Sequence, residues 1–204
     1  MEVLSINNKE YLVRSQREFP KDDYVIFVCE CEGKMYKIFF ATGILKKQQK
    51  KNFKNILALL KWIDRSALRT PRILEVDKKN FFIVREYLFG ESPLSLLGNG
   101  DLSEEIIAQL LEQFHFAKTM GINLDYRPQS FILFDGKLYY IGDVYDQYKE
   151  DENLINKGLM LWFYSAAGRK NLQDCGISVD RTRIKPENVI NKDVVLLVYK
   201  HYHI

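Results

Sequence analysis

The middle of the chain reads Leu124-Asp125-Tyr126-Arg127-Pro128-Gln129-Ser130-Phe131-Ile132-Leu133, a polar, proline-containing loop that runs into an apolar strand. A second aspartate follows in the segment Ile141-Gly142-Asp143-Val144-Tyr145, 18 residues after the first. Between the two acids, Asp135-Gly136 predicts the turn of a hairpin formed by 131–134 and 137–141. Both carboxylates are therefore expected where strand ends open onto a cleft, although each alone could be an ordinary turn residue.

Upstream of this segment, the hydrophobic pattern predicts a sheet with one helix. Apolar, β-branched runs indicate a strand over 11–14, a hairpin of 24–29 and 36–41 that turns near Gly33, and strands over 72–76 and 81–87. Between the hairpin and the later strands, apolar residues three and four apart predict an amphipathic helix over 45–63, with a lysine-rich start.

Past Gly90 the pattern becomes helical. A segment broken by glycine and proline leads to a long helix over 102–120, for which Asp101 and Glu104 predict a capping box. Another helix is expected over 153–167, ending at Gly168. The tail from Lys185 fits either a strand or a short buried helix.

Composition excludes several classes of protein. With 204 residues, 47% of them hydrophobic, the chain predicts one domain or two small lobes, not a disordered protein. The net charge of +3 is too small to indicate a nucleic-acid partner. Cys29, Cys31 and Cys175 are expected to be reduced thiols, and no Cys/His spacing predicts a zinc site. With no visible signal peptide and no apolar run near the ~18 residues of a membrane span, we expect a cytoplasmic protein without a transmembrane segment.

The order of these elements and two of the motifs resemble the protein-kinase-like superfamily. The segment from Leu124 resembles the kinase catalytic loop, in which an Asp is followed by Leu, Lys, Pro, any residue, Asn and an apolar strand. Residues 141–145 resemble the Asp-Phe-Gly segment, and the 18-residue separation is also usual in that family. Residues 82–90 resemble the hinge strand that takes the adenine, and 33–39 resemble the strand that carries the ATP-binding lysine.

The resemblance covers roughly residues 24 to 165 and implies an α+β, two-lobed kinase-like fold. Its small, β-rich N-terminal lobe with one helix would span residues 1–90. Its reduced, mainly helical C-terminal lobe would span 91–204 and carry both aspartate loops across a cleft from the nucleotide-binding strand.

The resemblance also implies a role for each matched residue of the two loops. Asp125 would orient an acceptor hydroxyl and take its proton, and Arg127 would neutralise charge on the transferred phosphate. Asp143 would hold the metal that bridges the phosphates of ATP, which is Mg²⁺ or alternatively Mn²⁺. Ser130 stands where the family has Asn, and its hydroxyl is the expected second ligand.

Nucleotide contacts are expected from Lys37, Glu86 and Leu88. The position of the lysine stays open, because strict alignment on Gly33 puts the family's lysine at Phe39, which points to the same side of its strand.

Three departures from the family pattern leave catalytic competence open. No glycine lies between Arg14 and Asp23, where the family has a glycine-rich loop over the phosphates. No glutamate lies between Ala41 and Leu74, so the helix offers Lys37 only Gln48, Gln49 or Asp64 as a partner. The dipeptide before Asp125 is Asn-Leu in place of His-Arg.

Two functions from different classes follow. The first is an ATP-dependent phosphotransferase of a minimal, atypical type, similar in size to RIO-type and bacterial lipopolysaccharide-core kinases, because only 61 residues follow Asp143. Its acceptor would be a hydroxyl of a protein or a sugar, and no nucleic-acid partner is expected. The alternative is a pseudokinase that serves as a protein-interaction scaffold. A plain α+β domain in which both acids are turn residues is the third interpretation. We interpret the second motif-like segment, 184–190, as a coincidence, since Arg183 occupies the place of its Asp.

Overall fold

The structure is a computed structural model that describes residues 2–19, 24–152, 154–179, 182–185 and 189. The chain divides into two compact units, one of residues 1–66 and 70–87 and one of 67–69 and 88–204. The α+β class predicted from the sequence is confirmed, and so is the small β-rich unit with one long helix.

One antiparallel sheet and one helix form the first unit. The strands are β1 (Val3–Ile6), β2 (Lys9–Phe19), β3 (Tyr24–Cys31), β4 (Lys34–Ala41), β5 (Ile73–Asp77) and β6 (Phe82–Glu86), and helix α1 spans Lys46–Asp64. The sheet order is β1-β2-β3-β4-β6-β5. The predicted β3–β4 hairpin is confirmed, with Glu32 and Gly33 at φ angles of 51° and 72°, the left-handed region that a tight hairpin turn needs. Strand β1 was missed, and β2 is longer than the predicted 11–14.

The sheet curls until its two ends approach one another. Glu75 on β5 accepts hydrogen bonds from Asn7 (2.6 Å), Lys9 (3.2 Å) and Tyr11 (3.4 Å), which lie at the β1–β2 end. The inner face buries a hydrophobic cluster of Ile6, Tyr11, Phe27, Cys29, Cys31, Ile38 and Val84. Burial of this cluster stabilises the small unit without disulfides, and the three cysteines are free thiols.

The second unit contains three α-helices and two strand pairs among its described residues. They are α2 (Pro93–Asn99), α3 (Glu104–Thr119), β7 (Ile122–Leu124), β8 (Phe131–Phe134), β9 (Lys137–Tyr140), β10 (Tyr145–Gln147) and α4 (Ala166–Asp174). The predicted β8–β9 hairpin is confirmed, and β10 pairs antiparallel with β7. The predicted apolar face of α3 is buried: Ile107, Leu110, Leu111, Phe114 and Ala117.

Two predictions for the start of this unit are wrong. The segment past Gly90, which was predicted to be irregular, forms helix α2. Pro93 is tolerated there because it stands in the first turn of the helix, where a missing N–H costs nothing. Helix α3 begins after Ser103 without any side-chain cap, so Asp101 makes no capping box.

The prediction of one helix over 153–167 is also wrong. The chain forms one turn of π-helix (Leu154–Gly158) and one turn of 3-10 helix (Leu159–Trp162) instead. Helix α4 begins only after Ser165, whose hydroxyl accepts a hydrogen bond from the N–H of Gly168 at 3.0 Å. Gly168 was predicted to end a helix, but it lies in the first turn of α4. The tail from Lys185, predicted as a strand or a short buried helix, lies outside the described residues except for Lys185 and Val189. Among the described helices, none is both long and apolar enough to cross a bilayer.

Candidate functional site

Asp125 directly follows β7, and its carboxylate is held by two residues of its own loop. Oδ1 accepts from the side-chain Nε of Arg127 (2.8 Å) and from its backbone N–H (3.3 Å), and Oδ2 accepts from Nη2 of Arg127 (2.6 Å). The hydroxyl of Ser130 donates to Oδ2 at 2.6 Å. A carboxylate offers about four acceptor sites, so these four bonds satisfy Asp125 completely.

These contacts keep Asp125 ionised. Burial alone would raise its pKa, since only 17% of the side chain is exposed, but the hydrogen bonds from Arg127 and Ser130 and the charge of Arg127 outweigh burial and lower the pKa. The Arg127 side chain is 53% exposed, so this ion pair is partly in water and can exchange for another anion at small cost.

The loop of Asp125 and the loop of Asp143 are joined through the backbone. Strand β7 pairs with β10 so that Leu124, which precedes Asp125, lies opposite Tyr145, two residues after Asp143. The carbonyl oxygen of Ser130 accepts hydrogen bonds from the N–H groups of Ile141 (2.9 Å) and Gly142 (3.1 Å). The two aspartates that lie 18 residues apart in sequence therefore belong to neighbouring loops of the second unit.

Tyr140 connects the same two loops by its side chain. Its hydroxyl oxygen accepts the backbone N–H of Asp125 at 3.2 Å and donates to the carbonyl oxygen of Val144 at 2.7 Å. The residue is fully buried. Burial raises the phenol pKa well above its usual value, Tyr145 and the carboxylates of Asp125 and Asp143 raise it further, and the hydrogen bond from the Asp125 N–H lowers it in part. Tyr140 therefore stays protonated.

Two glycines make room for this arrangement. A Cβ on Gly142 would lie 2.5 Å from the Tyr140 ring and hydroxyl, so the residue before Asp143 must be glycine for the ring to stay where it is. A Cβ on Gly158 would lie 2.6 Å from the Cβ of Tyr126, next to Asp125. The buried Trp162 donates from Nε1 to the Tyr126 carbonyl oxygen at 2.6 Å and fixes the loop from that side.

The predicted nucleotide-binding residues lie elsewhere in the chain. Lys37 is half-buried in β4 and shares a sheet face with its cross-strand neighbours Val28 and Arg85. Phe39, the alternative position, lies two residues on and is 2% exposed, with the guanidinium of Arg85 5.6 Å from its ring centre. A buried phenylalanine against an arginine cannot serve as a phosphate ligand, so Lys37 is the better candidate of the two.

Glu86 ends β6, and its carboxylate accepts the N–H of Arg72 at 3.0 Å. The backbone N–H of Glu86 donates to the carbonyl oxygen of Arg72, also at 3.0 Å. Leu88 is the first residue of the second unit after β6. The backbone N–H of Glu86 is therefore engaged, and its carboxylate accepts this one hydrogen bond.

Two of the three side chains of α1 that the sequence offers as partners of Lys37 bind backbone groups. Gln49 donates to the Ala41 carbonyl oxygen at 2.9 Å. Asp64 accepts the N–H of Ile73 at 3.0 Å. Both side chains therefore fasten α1 to the chain segments on either side of it.

The sequence did not predict a role for Trp162 in this site, nor the two hydrogen bonds of the Tyr140 hydroxyl. One signal was available for Tyr140: it alternates with the buried Leu138 along a strand, and a buried tyrosine normally finds a partner for its hydroxyl. Nothing in the sequence indicated which two loops the Tyr140 hydroxyl would join.

The likeness of this chain to known proteins lies in structure and not in sequence. No family model matches this chain, and no curated protein matches it. A similar solved structure is the autoinhibited serine kinase domain of the giant muscle protein titin, with 16% sequence identity and a TM-score of 0.44. The match covers 72% of this chain and 48% of the titin chain, so this chain spans about half the length of that structure.

Proposed function

We propose that the chain is a minimal, atypical phosphotransferase that transfers phosphate from ATP to a hydroxyl of a protein or sugar acceptor. The observation that carries the proposal is the pair of hydrogen bonds of the Tyr140 hydroxyl, which accepts from the N–H of Asp125 and donates to the carbonyl oxygen of Val144. The buried Tyr140 hydroxyl thereby joins the loop of Asp125 to the loop of Asp143. Two aspartates that only stabilise turns would not require such a connection.

In the proposed reaction, Asp125 orients the acceptor hydroxyl and accepts its proton. The acceptor oxygen forms a bond to the terminal phosphorus, the bond from that phosphorus to the bridging oxygen breaks, and its electron pair leaves with ADP. All four acceptor sites of Asp125 are filled by Arg127 and Ser130, so the carboxylate must first be released. Half-exposed Arg127 is suited to turn from Asp125 to the anionic phosphate and thereby free it.

The residues near Asp143 fit a metal that arrives with the nucleotide better than a resident ion. Over the described part of the chain, no three His, Cys, Asp or Glu side chains gather as metal ligands. Mg²⁺ is commonly held by one or two carboxylates plus substrate phosphates, and Asp143 and the hydroxyl of Ser130 are the ligands we propose for it. The metal, Mg²⁺ or Mn²⁺, would neutralise phosphate charge when bound. Lys37, Glu86 and Leu88 are the proposed nucleotide contacts.

The test is a thermal shift of the full chain with ATP, with and without Mg²⁺, followed by measurement of ADP release. We expect Mg-ATP to raise the melting temperature, and Asp143→Asn to remove the Mg²⁺-dependent part of the shift. Asp125→Ala should keep nucleotide affinity and lose roughly 10²- to 10⁴-fold in turnover, as is typical of a lost general base. Asp146→Asn is the matched control, because Asp146 is an exposed carboxylate on β10 three residues from Asp143.

A pseudokinase scaffold is the second candidate, and one observation favours it. The carboxylate of Asp125 is fully satisfied by its own loop. A scaffold predicts a melting temperature that neither Mg-ATP nor Mn-ATP moves, with all three variants folded. That result would overturn the phosphotransferase proposal.

A further inference from the structure

The start of α1 carries a concentrated positive charge beside exposed aliphatic residues. We name this surface the lysine patch: Ile44, Leu45, Lys46, Lys47, Lys50, Lys51 and Lys54. All five lysines are exposed, and within the described part of the chain none of them is ion-paired. The chain has no acidic residue from Thr42 to Ile63, and the first turn of α1 has neither an acid nor a side-chain cap. The helix N-terminus therefore adds positive potential to the lysines.

The two aliphatic residues of the lysine patch are exposed to solvent, and their loop is held in place by hydrogen bonds. Ile44 is 95% exposed and Leu45 68% exposed. The loop that carries them is held to α1 by two side chains: Gln49 donates to the carbonyl oxygen of Ala41 at 2.9 Å, and Asn52 donates to that of Thr42 at 2.8 Å. The chain thus holds Ile44 and Leu45 outward next to the lysines, and a groove of the same surface is lined by Leu45, Lys47, Lys50, Lys51 and Lys54.

We propose that the lysine patch docks onto an anionic membrane surface, with the lysines against lipid phosphates and carboxylates and with Ile44 and Leu45 inserted among the acyl chains. Clusters of four to eight basic residues on an amphipathic helix are suited to bind acidic lipid headgroups. Aliphatic side chains next to them become buried only if the charged surface covers an apolar layer, as the headgroups of a membrane cover the acyl chains. This docking does not depend on the proposed phosphotransferase function.

A nucleic acid fits this surface less well. Nucleic-acid surfaces combine basic residues with aromatic side chains or arginines that stack on bases. The lysine patch contains neither, and Phe53, the aromatic residue on the same stretch of α1, is 4% exposed, with its ring centre 5.6 Å from that of Phe81. Two aliphatic side chains held in water have nothing to contact on a phosphate backbone.

The experiment is co-sedimentation of the full chain with vesicles of phosphatidylcholine alone and with a third of the lipid replaced by phosphatidylserine. We expect binding to the anionic vesicles alone, weakening as salt is added. Lys50→Glu/Lys51→Glu should weaken it by at least about 30-fold, since each lysine near an anionic leaflet is worth about fivefold. The matched control is Lys78→Glu/Lys79→Glu, an exposed pair on the same unit with the same change in net charge, which should bind like the unaltered protein.

A second variant, Ile44→Ser/Leu45→Ser, leaves every charge in place and should weaken vesicle binding by about tenfold. Equal binding to both kinds of vesicle, no binding to either, or an equal loss in the control pair would overturn the proposal. A single-stranded RNA homopolymer that displaces the protein from anionic vesicles, and that binds Ile44→Ser/Leu45→Ser as tightly as the unaltered chain, would assign the surface to nucleic acid instead. None of these outcomes bears on the thermal shift with Mg-ATP.

Discussion

The hydroxyl oxygen of Tyr140 accepts the backbone N–H of Asp125 at 3.2 Å. The same hydroxyl donates to the carbonyl oxygen of Val144, one residue after Asp143, at 2.7 Å. One buried phenol thus fixes the distance between two loops that the chain could otherwise move independently. The geometry of the candidate site depends on Tyr140 as much as on the aspartates themselves.

Replacement of Tyr140 by Phe should lower the free energy of unfolding by about 1–3 kcal/mol, because it leaves the N–H of Asp125 and the carbonyl oxygen of Val144 without their partner. If the proposed function holds, turnover should fall while the KM for nucleotide stays, since the hydroxyl positions the base and does not touch nucleotide. Urea unfolding and steady-state kinetics measure the two effects.

Tyr139→Phe is the control for Tyr140→Phe. It removes a hydroxyl from the neighbouring residue of the same strand, and within the described residues that hydroxyl makes no hydrogen bond. We expect little change in stability or turnover. Equal effects of the two replacements would refute a special role for Tyr140.

Replacement of Gly142 by Ala should destabilise the second unit by about 1–3 kcal/mol, because the new Cβ would lie 2.5 Å from the Tyr140 ring and force it to shift. The shift would also break the hydrogen bonds of the Tyr140 hydroxyl. The double variant with Tyr140→Phe should therefore be less destabilised than the two single effects added together. Additive effects in urea unfolding would show that Gly142 and Tyr140 act separately.

Replacement of Arg127 by Ala should destabilise the protein in a pH-dependent way. In the folded chain the pKa of Asp125 is lowered, against the effect of burial, by the hydrogen bonds and charge of Arg127 together with the bond from Ser130. Ionised Asp125 therefore favours the fold above the ordinary aspartate pKa of about 3.9, and this contribution is lost as the pH falls through the lowered value. The stability gap between the two proteins should be present near neutral pH and shrink below about pH 4.

Unfolding curves from neutral to acidic pH measure that gap, and Lys137→Ala is the control, because Lys137 is an exposed basic residue of the same unit. The control should cost little at any pH. A gap for Arg127→Ala that stays constant into acid would mean that Arg127 stabilises the loop by packing alone.

The cysteines should differ sharply in reactivity. Cys175 is exposed, whereas Cys29 and Cys31 are buried in the curled sheet. Burial, with a smaller effect of Glu2, raises the pKa of Cys29 to about 11, and burial also raises that of Cys31, so little thiolate forms near neutral pH. A thiol reagent should modify one cysteine in the native protein and three after denaturation. Two or more fast thiols in the native protein, or one that persists in Cys175→Ser, would contradict this assignment.

The sequence alone determined the local elements with a clear pattern. Apolar residues three and four apart specified α1 and α3, and the turns at Gly33 and Asp135-Gly136 specified two hairpins, because periodicity and turn chemistry are properties of neighbouring residues. It also placed both aspartates in loops, Asp143 after a hairpin strand and Asp125 directly after the long helix. The structure adds the short strand β7 between α3 and Asp125. It did not determine the end of the chain's helical region, where a continuous helix was predicted over 153–167.

Tertiary structure decided the rest, because the deciding contacts join residues far apart in the chain. Gly158 approaches Tyr126, Trp162 donates to the carbonyl oxygen of Tyr126, and these contacts replace a regular helix by tight turns. Likewise, the sequence holds Asp125 and Tyr140 15 residues apart, and only the pairing of β7 with β10 and the burial of β9 bring the phenol to the backbone N–H of Asp125. Hydrogen-bond partners of a buried side chain are set by packing, which no local pattern encodes.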